Sequence, residues 1–385
     1  MSVVTYGASV SEAPLRLGVV SSWNVKCGIA EYCRYLVQCI QSQAIPLTIL
    51  SNRGAAPVGQ DEPFVHRPWD NTTRTLPELV RAVQKLRLSH LIVQYHHAFY
   101  PPEVLAALVA ALSACGVRVY VIYHATHHED LPKAAVSLRQ ATENLVHSLD
   151  DIKRLKAYGI GNVTLFPHGI YVPADDSLNG ASRETREDFC IGGFGFLMPH
   201  KGFLELICAG YLLRRHIPHL RVRLLAPLYP SAASEKLFTR CYQYIRYLNC
   251  SEYVTLDTRY REVNELIAEL RLCDLLVFPY QRTQESSSAA VRMGLAARRP
   301  VLCTPLPIFD DVKEIVHFTA GFDAIAISDS ILELYQNPKL LHGLDNARNH
   351  YLDSHSWAAV ARILIGKMVA PSYSHQPPAV AAGSF

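Results

Sequence analysis

Ile191-Gly192-Gly193-Phe194-Gly195-Phe196-Leu197-Met198-Pro199-His200-Lys201-Gly202 decides how this chain is organised. Ile191 to Leu197 reads as a buried, glycine-rich strand, and Phe203 to Arg214 continues as a helix. The same unit opens the chain. Leu15 to Ser21 is an apolar run, Ser22 to Cys27 a loop, and a helix starts near Gly28 with Ile29, Cys33, Leu36, Val37 and Ile40 on one face. Working outward from these two starts, apolar strands at Pro46 to Ser51, Leu91 to Tyr95, Arg118 to Tyr123, Leu145 to Ser148 and Val163 to Phe166 alternate with helical segments. After the second start come strands at Arg221 to Ala226, Tyr253 to Asp257, Asp274 to Phe278 and Pro300 to Thr304. Gly54 to Thr75 reads mostly as loop.

Strand–helix alternation of this kind specifies a parallel sheet covered on both faces. The polar stretch Tyr171 to Asp188 interrupts it and marks a boundary. The expected fold is therefore α/β, with two doubly wound, Rossmann-like domains facing each other across a cleft. Residues 1–170 form the first domain and 171–350 the second. A final helix covers 351–370, with Trp357, Val360, Ala361 and Leu364 as its apolar stripe. Residues 371–385 form a Pro-, Ser- and Ala-rich tail expected to be disordered. Ligands of such sheets lie beyond the carboxyl ends of the strands, so the cleft is the expected site.

Composition limits the function classes. The chain has 385 residues, 49% hydrophobic and 18% charged, which excludes global disorder. Lys plus Arg is 37 and Asp plus Glu 34, a formal +3, too balanced for nucleic-acid binding by bulk charge. The 10 cysteines include no C-x-x-C pair and read mostly as buried free thiols in a reducing compartment. No signal peptide or membrane span is legible, so a soluble, cytoplasmic protein is expected.

Three loops at strand ends carry candidate chemistry. In Ser22 to Ala30, Gly28 stands at a helix start, where backbone amides favour negative charge. In the second loop, Lys201 stands at another helix start. A lysine there opposes the helix dipole unless an anion sits beside it. In the third, Ser286, Ser287 and Ser288 can cap a helix and leave amides free, while Glu285 can accept from two neighbouring donors. Each loop also has a purely structural reading, as a glycine turn, a solvated lysine or a cap. Histidines cluster at His96, His97, His124, His127, His128 and His168. His124 lies at a strand end and the H-E-x-x-H pattern is absent, which favours a neutral hydrogen-bonding histidine over a zinc ligand.

Together these segments resemble the retaining glycosyltransferases of the two-Rossmann GT-B fold, family 4, over most of residues 15–368. Phe194 to Gly202 is similar to that family's glycine-rich segment ending in Lys-Gly, which implies that Gly195 and Lys201 bind a donor diphosphate. Glu285 to Val301 resembles its E-x7-E region, and Phe166-Pro167-His168-Gly169 its P-N-G turn. The resemblance implies a phosphate loop at Gly28, a cleft histidine at His124, and a donor sugar held by Glu285 with Ser286, Ser287 and Ser288. The departures are Phe196 for an arginine, Met293 for the second glutamate, Glu285-Ser286-Ser287-Ser288 for the E-G-F-G start, and His168 for asparagine. Arg282, Arg292, Arg298 and Arg299 are candidate replacements for the lost charge.

The activity implied is metal-independent, retaining transfer of a hexose from a nucleotide diphosphate sugar, without a further cofactor, to a saccharide or lipid-linked saccharide. A glycolipid acceptor would bring peripheral contact with the inner face of the membrane. The alternatives are an epimerase-type enzyme on the same fold and a catalytically degenerate binding or scaffold subunit.

Overall fold

The computed structural model describes residues 15–54, 57–71, 76–173, 187–283, 285 and 287–369. Most of the expected linker, the tail and Ser286 lie outside the described residues.

The first half runs β1 (Leu17–Ser21), α1 (Gly28–Gln41), β2 (Leu47–Asn52), β3 (Val65–Trp69), α2 (Pro77–Lys85), β4 (His90–Tyr95), α3 (Pro102–Ala114), β5 (Arg118–Tyr123), α4 (Leu131–Leu138), β6 (Glu143–Val146), α5 (Leu149–Ala157) and β7 (Val163–Leu165). Its strands form one sheet in the order β3-β2-β1-β4-β5-β6-β7. All pairings are parallel, with Leu17 level with both Leu47 and His90. Full burial of β1 and near-full burial of β4 and β5 explains why these strands read as unbroken apolar runs.

The second half runs β8 (Phe189–Phe194), a 3₁₀ turn (Pro199–Lys201), α6 (Phe203–Leu213), β9 (Leu220–Leu225), α7 (Ala232–Tyr247), β10 (Val254–Asp257), α8 (Val263–Arg271), β11 (Leu275–Phe278), α9 (Ala289–Ala296), β12 (Val301–Cys303) and β13 (His317–Phe318). The second sheet, also all parallel, has the order β10-β9-β8-β11-β12-β13. Four helices end the described residues: α10 (Ala324–Gln336), α11 (Pro338–Leu341), α12 (Asp345–Ser354) and α13 (Trp357–Val369).

In each sheet the strand order reverses at one point, between β1 and β4 and between β8 and β11. There the neighbouring helices leave toward opposite faces and open a crevice at the carboxyl ends. The loops after these four strands carry Gly28, His96, Lys201 and Glu285, so the topology alone gathers the sequence candidates.

One apolar core joins the halves. Tyr32 and Tyr35 of α1 belong to the same cluster as Leu266, Met293 and Trp357. Helix α13 returns to the first sheet. Trp357 donates its backbone N–H to Ile170 O (3.1 Å), Ile170 donates to His355 O (2.8 Å), and Lys367 pairs with Glu143 at 2.7 Å. A Cβ on Gly169 would stand 2.3 Å from the Trp357 ring, so glycine permits this docking.

The segment read mostly as loop contains β3, an edge strand paired only with β2. Its sequence, Val-His-Arg-Pro-Trp, is half-exposed and interrupted by proline, as edge strands tolerate. Six of the ten cysteines are buried, and all ten are free thiols.

Candidate active site

Lys201 ends the 3₁₀ turn, and Gly202 follows in the left-handed region at φ +71°. A Cβ on Gly202 would lie 1.8 Å from Pro279 O, so only glycine lets the turn lie against the end of β11. Gln281 N–H donates to His200 O at 2.8 Å and ties the two segments together. Gly195, at φ +142°, bends the backbone immediately after β8, and the Lys201 side chain passes 4.0 Å from where a Gly195 Cβ would be.

The Lys201 Nζ lies 3.1 Å from a Glu285 oxygen and 4.1 Å from the centroid of the Tyr280 ring. His200 Nε2 stands 3.5 Å from the other Glu285 oxygen. Burial opposes charge on both partners. For Lys201 it is outweighed by Glu285 and Tyr280, and the pKa rises. For Glu285 it is outweighed by Lys201 and His200, which hold the carboxyl well below the usual carboxylate range. The site thus keeps one fixed cation and one fixed anion at neutral pH. The lysine that looked misplaced at a helix start has a carboxylate beside it.

The serines divide. Ser288 is buried, its hydroxyl accepts from Val291 N–H (3.3 Å) to cap α9, and it bonds the Tyr280 hydroxyl at 2.8 Å. It thereby fixes the ring that flanks Lys201. The Ser287 hydroxyl is enclosed without a partner among the described residues.

Glu285 and His200 share a cleft of about 450 Å³ with His96, His97 and Ala125, which follow β4 and β5 of the first sheet. His124 stands at the end of β5, with Nε2 2.6 Å from Gln94 Oε1 and its ring against the edge of Tyr32 at 4.8 Å. With Oε1 accepting, the proton sits on Nε2 and Nδ1 remains an acceptor. Burial, with His147 and His96 beside it, pushes its pKa well below the ordinary value, so the ring is neutral. Neither His124 nor His168 is among the residues that line this cleft. His168 packs against Tyr32 and Trp357, and its Nδ1 lies 2.9 Å from Gly169 O.

Gly28 starts α1 without a side-chain cap, and a Cβ there would meet nothing within 4 Å. The amides at this helix start have no side-chain cap, and the position does not require glycine. Of the candidate arginines, only Arg282 lines the cleft. Arg292 is fully buried and paired with Asp311, Arg298 bonds Asn349, and Arg299 donates to Arg271 O.

A second, narrow cavity of about 50 Å³ lies between the halves, lined by Phe194, Phe196, Tyr35, Tyr260, Arg261 and Met293 among others. Its boundary includes residues that sequence reasoning missed. The Tyr260 hydroxyl donates to the Glu31 carboxylate of α1, and Lys26 lies 5.3 Å from the Tyr260 ring. Nothing in the loop after β10 signals this contact, because its partner is some 230 residues away.

Among the described residues, no group of three or more His, Cys, Asp or Glu side chains is placed to hold a metal ion, and no helix is long and apolar enough to cross a membrane.

No protein-family model and no curated protein sequence matches the chain. Solved structures do. Sucrose-phosphate synthase from Thermosynechococcus elongatus superposes with a TM-score of 0.71 at 16% identity, over 92% of this chain and 98% of that one. The Anabaena protein HepE, in complex with UDP and glucose, gives 0.67 at 11%, over 92% and 99%. The UDP-forming α,α-trehalose-phosphate synthase from Burkholderia vietnamiensis gives 0.71 at 12%, over 92% and 98%. The fold of the chain is the GT-B fold, two Rossmann-like α/β domains facing each other.

Proposed function

We propose that the protein is a retaining, metal-independent glycosyltransferase of family 4 type, which moves a hexose from a nucleotide diphosphate sugar to a saccharide or lipid-linked saccharide. The observation that carries this reading is the Lys201–Glu285 pair, 3.1 Å apart at the reversal point of the second sheet and facing strand-end histidines of the first. The structural neighbours support a uridine diphosphate donor, since one is a complex with UDP and glucose and another is described as UDP-forming.

In this reading residues 1–170 hold the acceptor and 171–350 the donor. The donor diphosphate lies beside Lys201 and the uncapped amides at the start of α6, with the Gly28 amides facing it from α1. As the bond between the anomeric carbon and the diphosphate oxygen breaks, negative charge grows on the leaving group. A fixed cation and fixed N–H dipoles stabilise it without reorganising. Glu285 accepts hydrogen bonds from the donor sugar. The Nδ1 atom of His124 accepts one from the sugar hydroxyl nearest it. The acceptor oxygen bonds to the anomeric carbon, and its proton passes to the departing diphosphate. Retention of configuration follows from the family resemblance. The nucleoside occupies an opened form of the narrow cavity beside Met293, where an apolar side chain replaces the ribose-binding carboxylate.

The test is turnover of UDP-sugars by wild type and Lys201→Ala with a panel of saccharide acceptors. A loss below about 1 kcal/mol of transition-state stabilisation refutes the diphosphate role. Hydrolysis or epimerisation without an acceptor redirects the reading to an epimerase-type enzyme. Absence of both turnover and nucleotide binding redirects it to a scaffold subunit.

A further inference from the structure

The cleft that Glu285 lines presents several fixed donors. His96 Nδ1 accepts the backbone N–H of Ala98 at 3.0 Å, which fixes its remaining proton on Nε2. Its ring lies 4.2 Å from that of His97, which lies 5.6 Å from that of His128. His128 is held the same way, with Nδ1 accepting from Asp130 N–H at 3.2 Å. Across the cleft Arg282 is exposed, and none of the ion pairs among the described residues includes it. Thr283 Oγ1 accepts from Glu285 N–H at 3.2 Å and keeps its own O–H to donate. The carboxylate that lines this cleft, Glu285, is already engaged by Lys201 and His200.

A neutral sugar presents hydroxyls that both donate and accept, whereas the Arg282 guanidinium and the Nε2–H of His96 only donate. A carboxylate or phosphate only accepts, and a guanidinium matches it with two parallel N–H bonds. We infer that the cleft walled by His96, His97, Thr283 and Arg282 binds an acceptor saccharide through an anionic group, the carboxylate of a uronic acid or a phosphate ester, held by Arg282 and the Nε2–H of His96. The inference rests on the glycosyltransferase reading for the word acceptor, but the anion site stands on its own geometry. Burial and the neighbouring His97 lower the His96 pKa to about 4, so at neutral pH the ring serves as a fixed hydrogen-bond donor. His96 also lies within electrostatic reach of both His124 and Glu285, which places the anion beside the proposed reaction centre. A cleft of about 450 Å³ falls within the usual size range for small-molecule sites.

The experiment is isothermal titration of the full chain, saturated with UDP so that the donor phosphate site is filled. The probes are glucuronate, glucose 6-phosphate and glucose. Binding of at least one anionic sugar tenfold or more tighter than glucose is expected, and which of the two it is identifies the anion. Arg282→Gln removes that preference and leaves UDP affinity within twofold, whereas Arg282→Lys keeps part of it. Equal binding of the three sugars overturns the inference. So does an Arg282→Gln variant that loses UDP as well, because the guanidinium then serves the donor. If wild type does not bind UDP, the donor reading fails and the same titrations run without it. Anion binding lost in Arg282→Gln and kept in Lys201→Ala supports the site, and the reverse pattern overturns it.

Discussion

Gly202→Ala probes the turn that holds Lys201 in place. The new Cβ would sit 1.8 Å from Pro279 O and 2.8 Å from Pro279 C, both backbone atoms that no rotamer change can move. An alanine at φ +71° costs about 1–2 kcal/mol in backbone conformation alone. Restoring an ordinary contact then requires the turn and the end of β11 to separate by more than 1 Å, and overpacking of this kind costs about 1–3 kcal/mol. The sum is about 2–5 kcal/mol of folding stability. The separation also acts directly on the site, because it stretches the 2.8 Å Gln281-to-His200 bond and withdraws Lys201 from Glu285. Urea unfolding of wild type and variant reads the first effect, and UDP titration of the folded variant reads the second. Gly28→Ala is the control for stability, since a Cβ there meets nothing within 4 Å. A Gly202→Ala protein within about 1 kcal/mol of wild type, with UDP affinity unchanged, would refute the reasoning.

Two further outcomes are expected. His147 is buried, its Nδ1–H donates to Phe166 O at 2.9 Å, and burial lowers its pKa from 6.5 to about 4. The unfolded chain therefore takes up this proton first as pH falls. The His147 contribution is fully present above pH 6.5 and is lost between 6.5 and 4, about 3 kcal/mol in all. His147→Asn keeps a donor and flattens that part of the stability profile measured by urea unfolding, whereas an unchanged slope would assign the acid sensitivity elsewhere. Tyr260→Phe removes the hydroxyl that joins the loop after β10 to Glu31 across the narrow cavity both residues line. If the cavity must open to take the nucleoside, UDP should bind about tenfold tighter or more, because a hydrogen bond to a carboxylate, typically about 1.5–3 kcal/mol, no longer opposes opening. Weaker binding would place the nucleoside elsewhere.

The sheets were legible because burial on both faces makes β1, β4, β5, β8 and β11 nearly continuous apolar runs. Edge strand β3 was not, because exposure and Pro68 erase that pattern. Lys201 was legible through a local contradiction, a cation at a helix start, which the fold answers with Glu285. Tyr280 was not, because an aromatic at a strand end has many uses, and its role depends on Lys201 from another loop. Arg292 illustrates the opposite error. Its sequence position near Glu285 suggested a cleft charge, yet its side chain turns inward to Asp311. Sequence proximity along a helix does not reveal which face a long side chain takes when a buried carboxylate comes from elsewhere.

The central claim is that Lys201 receives the donor diphosphate while Glu285 holds the sugar. A crystal structure of the protein with UDP-glucose, or with UDP if the sugar is cleaved, tests it most directly. The account predicts diphosphate oxygens within hydrogen-bond reach of Lys201 Nζ and the first amides of α6, with the nucleoside in the widened cavity beside Met293. A nucleotide seated away from Lys201, with the Lys201–Glu285 pair undisturbed, would contradict it.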